Sequence, residues 1–180
     1  MFSALTTTIY RNLLLFILLT LLPACSVLAP NQHELRRSSQ TVLAKIRAID
    51  PTFDEFIKNA YAYVVFPQVD KSENQINGAF GDGAIFKEGE FEGLARLSQI
   101  SVGFQLSGIR FIQVVVFQSP SAYETFLEGD FSVPFHVTAR AIAPGAAAQS
   151  RYQDNLAVFT MTLGGLMFEA NLRGQTLNRL

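Results

Sequence analysis

Apolar residues recur along this chain in changing rhythms. Leu13 to Leu22 is an apolar run, broken only by Thr20, that follows Arg11. It is too short to span a bilayer and has the size of a signal-peptide core. After a short polar tether, Ala29 to His33, the pattern turns helical. Leu35, Val42, Ile46 and Ile49 fall on one stripe of a helix predicted over Glu34–Ile49, with Lys45 and Arg47 flanking it. Asp50-Pro51 breaks this helix, and Thr52-Phe53-Asp54-Glu55 has the form of a capping box opening a second, short helix to about Asn59.

From Tyr61 the period becomes two. Strands are predicted over Tyr61–Phe66 (closed by Pro67), Gly78–Phe86, Phe91–Leu97, Ile100–Ser107 and Ile109–Gln118. A polar loop, Asp70–Asn77, and a turn at Lys87-Glu88-Gly89-Glu90 separate the first of these. The Ile109–Gln118 strand is apolar on both faces, which marks a central strand. Ser121 and Glu124 form a capping box for a short helix that Gly129 stops. Phe131, Val133, Phe135, Val137 and Ala139 then alternate with polar positions, and Pro134 marks that strand as an edge or a bulge. Pro144–Gln149 reads as a loop, and Leu156–Leu163 and Leu166–Arg173 as the final strands. The sum is an α+β domain: N-terminal helices packed on a strongly curved, barrel-like antiparallel sheet with one short inserted helix.

The composition fits a folded domain. Among 180 residues, 49% are hydrophobic and 16% charged, enough apolar surface for one core and too little charge for disorder. The 14 basic and 15 acidic side chains leave a net charge of −1, without the clustered basic surface that nucleic acid demands. With Cys25 the sole cysteine and His33 and His136 the only histidines, an intramolecular disulfide is excluded and a Cys/His zinc site nearly so. No cofactor is expected.

Cys25 stands in Leu22-Pro23-Ala24-Cys25-Ser26, directly behind the apolar run. This stretch resembles a bacterial lipobox, in which the cysteine is acylated and becomes the new N-terminus; Pro23 is an unusual occupant. Ordinary cleavage after Ala24 or Ala29 is the competing reading, and Pro30 makes the second of those a poor site. Ser26 rather than Asp after the cysteine implies the outer membrane of a Gram-negative cell. The expected organisation is a lipoprotein signal over residues 1–24, a lipidated tether over 25–33, helices over 34–59 and a β-rich domain over 60–180.

No catalytic pattern emerges from the residues that could carry one. Gly78-Ala79-Phe80-Gly81-Asp82-Gly83 matches neither phosphate-loop signature, so its glycines are expected to let the strand bend or lie close to other backbone. The glycines in Ser101-Val102-Gly103-Phe104-Gln105-Leu106-Ser107-Gly108 receive the same reading. Ser101, Ser107, Asp82 and His136 could be imagined as a hydrolase set, but there is no nucleophile elbow and His136 falls on the polar face of its strand. Glu88, Glu90 and Glu92 read as a solvated hairpin tip.

Taken in order, Phe66-Pro67, the Gly78–Gly83 run, Ser101–Gly108, the helix Ser121–Phe126, Ala143-Pro144-Gly145, and Gly164-Gly165-Leu166 through Gly174 resemble the SYLF lipid-binding domain, over roughly Lys58 to Leu177. The longer Asp70–Asn77 loop departs from the family pattern. So does Ala146-Ala147-Ala148, where the family carries an arginine that here arrives only at Arg151. Phosphoinositide binding is therefore not carried over. The resemblance implies a non-enzymatic lipoprotein or exported domain that associates with membrane phospholipid; with Cys25 and Ser26, the expected place is the outer membrane, lipid-anchored and facing the periplasm. Lys45 and Arg47, with Lys58 and Lys71 near the start of the SYLF-like region, are the expected lipid-binding cations. Against this stands the expectation that the helical stripe simply packs on the sheet. An adaptor lipoprotein binding another envelope protein through a sheet edge is the second functional class, and an enzyme the third.

Overall fold

The computed structural model describes residues 30–71, 78–100, 110–163 and 174–180. Helix α1 spans Gln32–Ile49, two residues earlier than the stripe predicts. Asn31 sets its start: the side-chain oxygen accepts from the backbone N–H of His33 and Glu34, satisfying donors that the first turn leaves unpaired. Leu43 and Ile46 of α1 are buried, each contributing about 1.5–3 kcal/mol by leaving water. The helix ends at Asp50, before Pro51, as expected.

Helix α2, Phe53–Lys58, follows without the expected capping box. The Thr52 hydroxyl instead donates to the Asp50 carboxylate (2.6 Å) and accepts from the N–H of Ala148. The hydroxyl oxygen thus accepts from a distant loop and not from the first turn of α2, while its proton goes to a charged acceptor. Helix α3, Pro120–Leu127, begins two residues before the predicted box. Ser119 caps it by accepting from Ala122 N–H, and Pro120 occupies the first turn, where its missing N–H costs nothing.

The strands are β1 (Ala62–Lys71), β2 (Gly78–Lys87), β3 (Glu90–Ile100), β4 (Arg110–Phe117), β5 (Phe131–Ser132), β6 (Ala139–Ala141), β7 (Leu156–Thr162) and β8 (Gln175–Arg179). They form one eight-stranded sheet in the order β5-β8-β3-β2-β1-β4-β7-β6, antiparallel except for the β6–β7 pair, and curled into a half-barrel. Strand β4 lies in the interior of the sheet, and Phe111 through Phe117 are buried on both faces. The predicted α+β architecture is the one observed.

One layer of core fills the concave side. Val64, Phe66, Leu97, Val115, Phe117 and Leu177 meet Tyr123 and Phe126 of α3 there. Phe117 stacks on Phe126 (5.3 Å) and meets Tyr123 edge-on (5.7 Å), plugging one end of the half-barrel. The second layer lies on the convex side, where α1 and α2 cover Val65, Phe86, Val114 and Phe159.

Several predicted strands differ in extent. Strand β1 does not stop at Pro67 but runs on to Lys71 through a bulge, with register shifts against both β2 and β4. Proline is tolerated there because a bulge asks for no ladder N–H. The glycines opposite make room: a Cβ at Gly81 would lie 2.7 Å from the Gln68 carbonyl oxygen, and one at Gly83 2.7 Å from that of Val65. Close backbone approach is thus what the Gly78–Gly83 run permits.

The predicted Phe131–Ala139 strand is two short ones on opposite edges, joined by residues 133–138 with a turn at Phe135-His136. Val133 and Val137 still point into the concave core. The alternation predicted their burial but not the break. Ile100–Ser107 lies outside the described residues beyond Ile100, as does the predicted Leu166–Arg173 strand. The last described strand, β8, was not expected: its sequence Gln-Thr-Leu-Asn-Arg carries one apolar residue, Leu177.

Candidate functional site

Cys25 lies outside the described residues. The four expected lipid-binding cations do not converge. Lys45 is exposed on α1. Arg47, two residues on, is tied to Asp54 of α2 by an ion pair whose side chains are each 42% exposed. Lys58 is exposed one turn beyond Asp54. Lys71 lies at the far end of β1, roughly 30 Å from Ala62 at the ordinary strand rise, whereas Lys58 precedes the near end. The apolar stripe beside these cations is taken up by the sheet: Leu43 and Ile46 are buried with Tyr63, Ala84 and Phe86, while Val42 and Ile49 pack against the same cluster. Ser39, fully buried on this face, donates to the Val65 carbonyl at the bulge, locking α1 to β1. Among the described residues no helix is long and apolar enough to cross a membrane.

Lys71 belongs to a different neighbourhood. Its ammonium sits 6.0 Å from the centre of the Phe111 ring, and burial pushes its pKa below the ordinary lysine value. Farther in, the concave core becomes polar. Gln113 of β4 and Gln175 of β8 are buried and exchange reciprocal amide hydrogen bonds of 2.6 and 3.2 Å. Strands β8 and β4 are separated in the sheet by β3, β2 and β1, so this bond crosses the interior and is made only because the sheet curls. Gln99, in register with Gln175, is buried beside them. Sequence reading missed these glutamines. Their only signal is the intrusion of Gln113 into the apolar Phe111–Phe117 run.

The candidate catalytic groups are dispersed. His136 and Asp154 form a surface pair (2.7 Å) with side chains 46% and 61% exposed. Asp82 is held by Arg96 through two hydrogen bonds. Glu92 accepts from the Tyr123 hydroxyl, and Glu88 occupies the hairpin tip at φ 51°. Ser101 and Ser107 lie outside the described residues. Among the described residues no three His, Cys, Asp or Glu side chains are grouped to hold a metal ion. A polar cavity of about 280 Å³ on the convex side is lined by Arg140, Arg151, Gln149 and Ser150.

The buried carboxylate is structural in its connections. Asp50 accepts from Thr52 N–H and hydroxyl and from the N–H groups of Gly145 and Ala147. Burial pushes its pKa up, but these hydrogen bonds outweigh burial and hold it below the ordinary carboxylate value. Tyr152 stacks on Phe56 (4.7 Å) and buries a hydroxyl that has no partner among the described residues; burial raises its pKa to about 12.

Comparison of the chain with family models and with curated proteins finds no match.

Proposed function

We propose that the chain is a lipoprotein of a Gram-negative envelope, held in the outer membrane by acylated Cys25 and facing the periplasm, whose SYLF-like domain associates with phospholipid and catalyses no reaction. The observation that carries this reading is Leu22-Pro23-Ala24-Cys25-Ser26 directly behind the apolar run, with the only cysteine of the chain at the position acylation requires. Two or more acyl chains hold a protein firmly on a bilayer, where one gives marginal binding. Support also comes from the dispersal of the candidate catalytic groups among the described residues: His136 pairs with Asp154, Asp82 with Arg96, and Glu92 with the Tyr123 hydroxyl. The edge strands, of two and three residues, offer little ladder to a partner strand, which weighs against the adaptor reading.

Mass spectrometry of the mature protein tests the anchor: the expected N-terminus is Cys25 carrying acyl chains, and Cys25→Ser is expected to accumulate as unprocessed precursor. A soluble chain beginning at Ser26 or Pro30 would overturn it. Direct association is tested by flotation of a chain starting at Ser26 with phosphatidylglycerol vesicles, expected to be weak and stronger at low salt. Absence of flotation at low salt would leave the anchor as the sole contact and favour the adaptor.

A further inference from the structure

We propose that the anchored domain rests on its membrane by the rim of the sheet at the Lys71 end of β1, with Phe80 and Leu163 at the headgroup–acyl boundary and Lys71 and Arg110 against anionic headgroups. The proposal rests on the lipoprotein reading above and adds the surface that meets the bilayer.

Register places the residues in one row. Phe80 of β2 opposes Asp70 of β1, and Asp70 opposes Arg110 of β4. The Arg110 carbonyl in turn accepts from the N–H of Leu163, just past β7. The row therefore crosses four neighbouring strands on the convex face. Farther along that face Phe86, Ile112 and Phe159 are covered by the helices. At the rim no described residue covers Phe80 and Leu163, whose exposures are 49% and 39%. Large apolar side chains beside long cationic ones suit a membrane interface, where ring and stem sink and the charge stays at the headgroups.

Lys71, the next residue after Asp70, lies on the concave side of the same rim, in register with Ala79 and with its ammonium 6.0 Å from the centre of the Phe111 ring. It is half-buried and makes no ion pair among the described residues, so a headgroup phosphate would replace water that it has lost. Arg110 is 4.0 Å from Asp70 and 62% exposed, so its guanidinium is free to reach outward. Asp70 is the one acidic member of the row and offsets part of this charge.

The tether decides which end faces the bilayer. Helix α1 runs antiparallel to β1, as Ser39 meets Val65 while Pro30, Asn31 and Glu34 share a surface cleft with Pro67 and Gln68. The start of the domain thus lies toward the rim. Cys25 precedes Pro30 by five residues, which span at most about 18 Å. Lys45 and Arg47 lie roughly 20 Å farther along α1, toward the opposite end.

The chain has no tryptophan, so one introduced residue reports alone. Mature, lipidated Phe80→Trp and Leu163→Trp variants, reconstituted with phosphatidylethanolamine–phosphatidylglycerol vesicles, are expected to show blue-shifted emission and quenching by bromine-labelled acyl chains. Tyr61→Trp, at the other end of β1, is expected to show neither. Adding Lys71→Glu and Arg110→Glu to Phe80→Trp is expected to abolish the quenching while the acyl anchor keeps the protein on the vesicles; Lys45→Glu with Lys58→Glu is expected to leave it intact. Circular dichroism checks that each variant is folded. Vesicle-bound protein with both rim reporters unquenched would overturn the orientation and leave the anchor standing. A blue shift of the rim reporters without vesicles, growing with protein concentration, would overturn it in favour of contact between copies. A mature protein without acyl chains on Cys25 fails at the earlier step and takes the proposal with it.

Discussion

Asp50 holds together parts of the chain that are far apart in sequence. Its carboxylate joins the α1–α2 corner to Gly145 and Ala147, nearly a hundred residues away, and is 1% exposed. Removing it strands buried N–H groups, so Asp50→Ala is expected to cost roughly 2–3 kcal/mol in urea unfolding at neutral pH. The pH dependence has a definite sign. The folded pKa lies below the unfolded one, so the unfolded chain binds the proton more readily. The stabilisation is fully present above about pH 4 and is lost as pH falls through the folded value. Asp50→Asn is expected to lack that acid-dependent component. The test is the shift of the urea midpoint between pH 6 and pH 3, smaller in the variant than in the parent. Nothing near Asp50 in the sequence reveals this role, because its partners come from a distant loop. Locally, Asp50-Pro51 signals no more than the end of a helix.

At the scale of elements, the bulge in β1 and the glycines of β2 form one unit. A Cβ at Gly83 would stand 2.6 Å from the Phe66 ring and 2.7 Å from the Val65 carbonyl oxygen, whereas at Gly93 the nearest atom is 3.8 Å away. Gly83→Ala is therefore expected to destabilise by about 1–3 kcal/mol, like other overpacked sites. Gly93→Ala is expected to be neutral or to gain up to about 1 kcal/mol, by restricting the unfolded chain. Thermal unfolding of the two variants side by side measures the difference. The same elements show what was legible beforehand. The apolar stripe predicted α1 and the period of two predicted β2, β3, β4 and β7, because both patterns are local consequences of burying one face or two. Pro67 suggested a strand end since the bulge that tolerates it depends on glycines in the next strand. The inward valines 133 and 137 were legible, whereas their placement between two edges depends on the curl of the whole sheet. Strand β8 was hidden because it is mostly polar and gains its place from pairing with β3. Of the candidate site, the sequence offered cations near an apolar stripe, and tertiary structure then divided them: the stripe went to the sheet, and only Lys71 reached the rim.

For the molecule as a whole, the curl is recorded in the Gln113–Gln175 pair. Gln113→Leu alone would leave the Gln175 amide buried without its partner, an expected cost of about 1–3 kcal/mol. Replacing both with Leu is expected to recover much of that loss, and a double-mutant cycle in urea reads the coupling between strands that are not neighbours in the sheet. A second global feature is the segment 133–138, which ties β5 on one edge of the sheet to β6 on the other. Proteins tethered to a bilayer share a thin layer and meet their copies at a high effective concentration. In such a layer an open sheet edge would act as a seed, recruiting strands from neighbour after neighbour into a growing fibre. Here each outermost strand is only two or three residues long and runs directly into a segment that turns inward to bury Val133 and Val137. On the proposed anchoring, a dense lawn of such molecules is therefore expected to resist growth of strand upon strand at the edges of the described sheet.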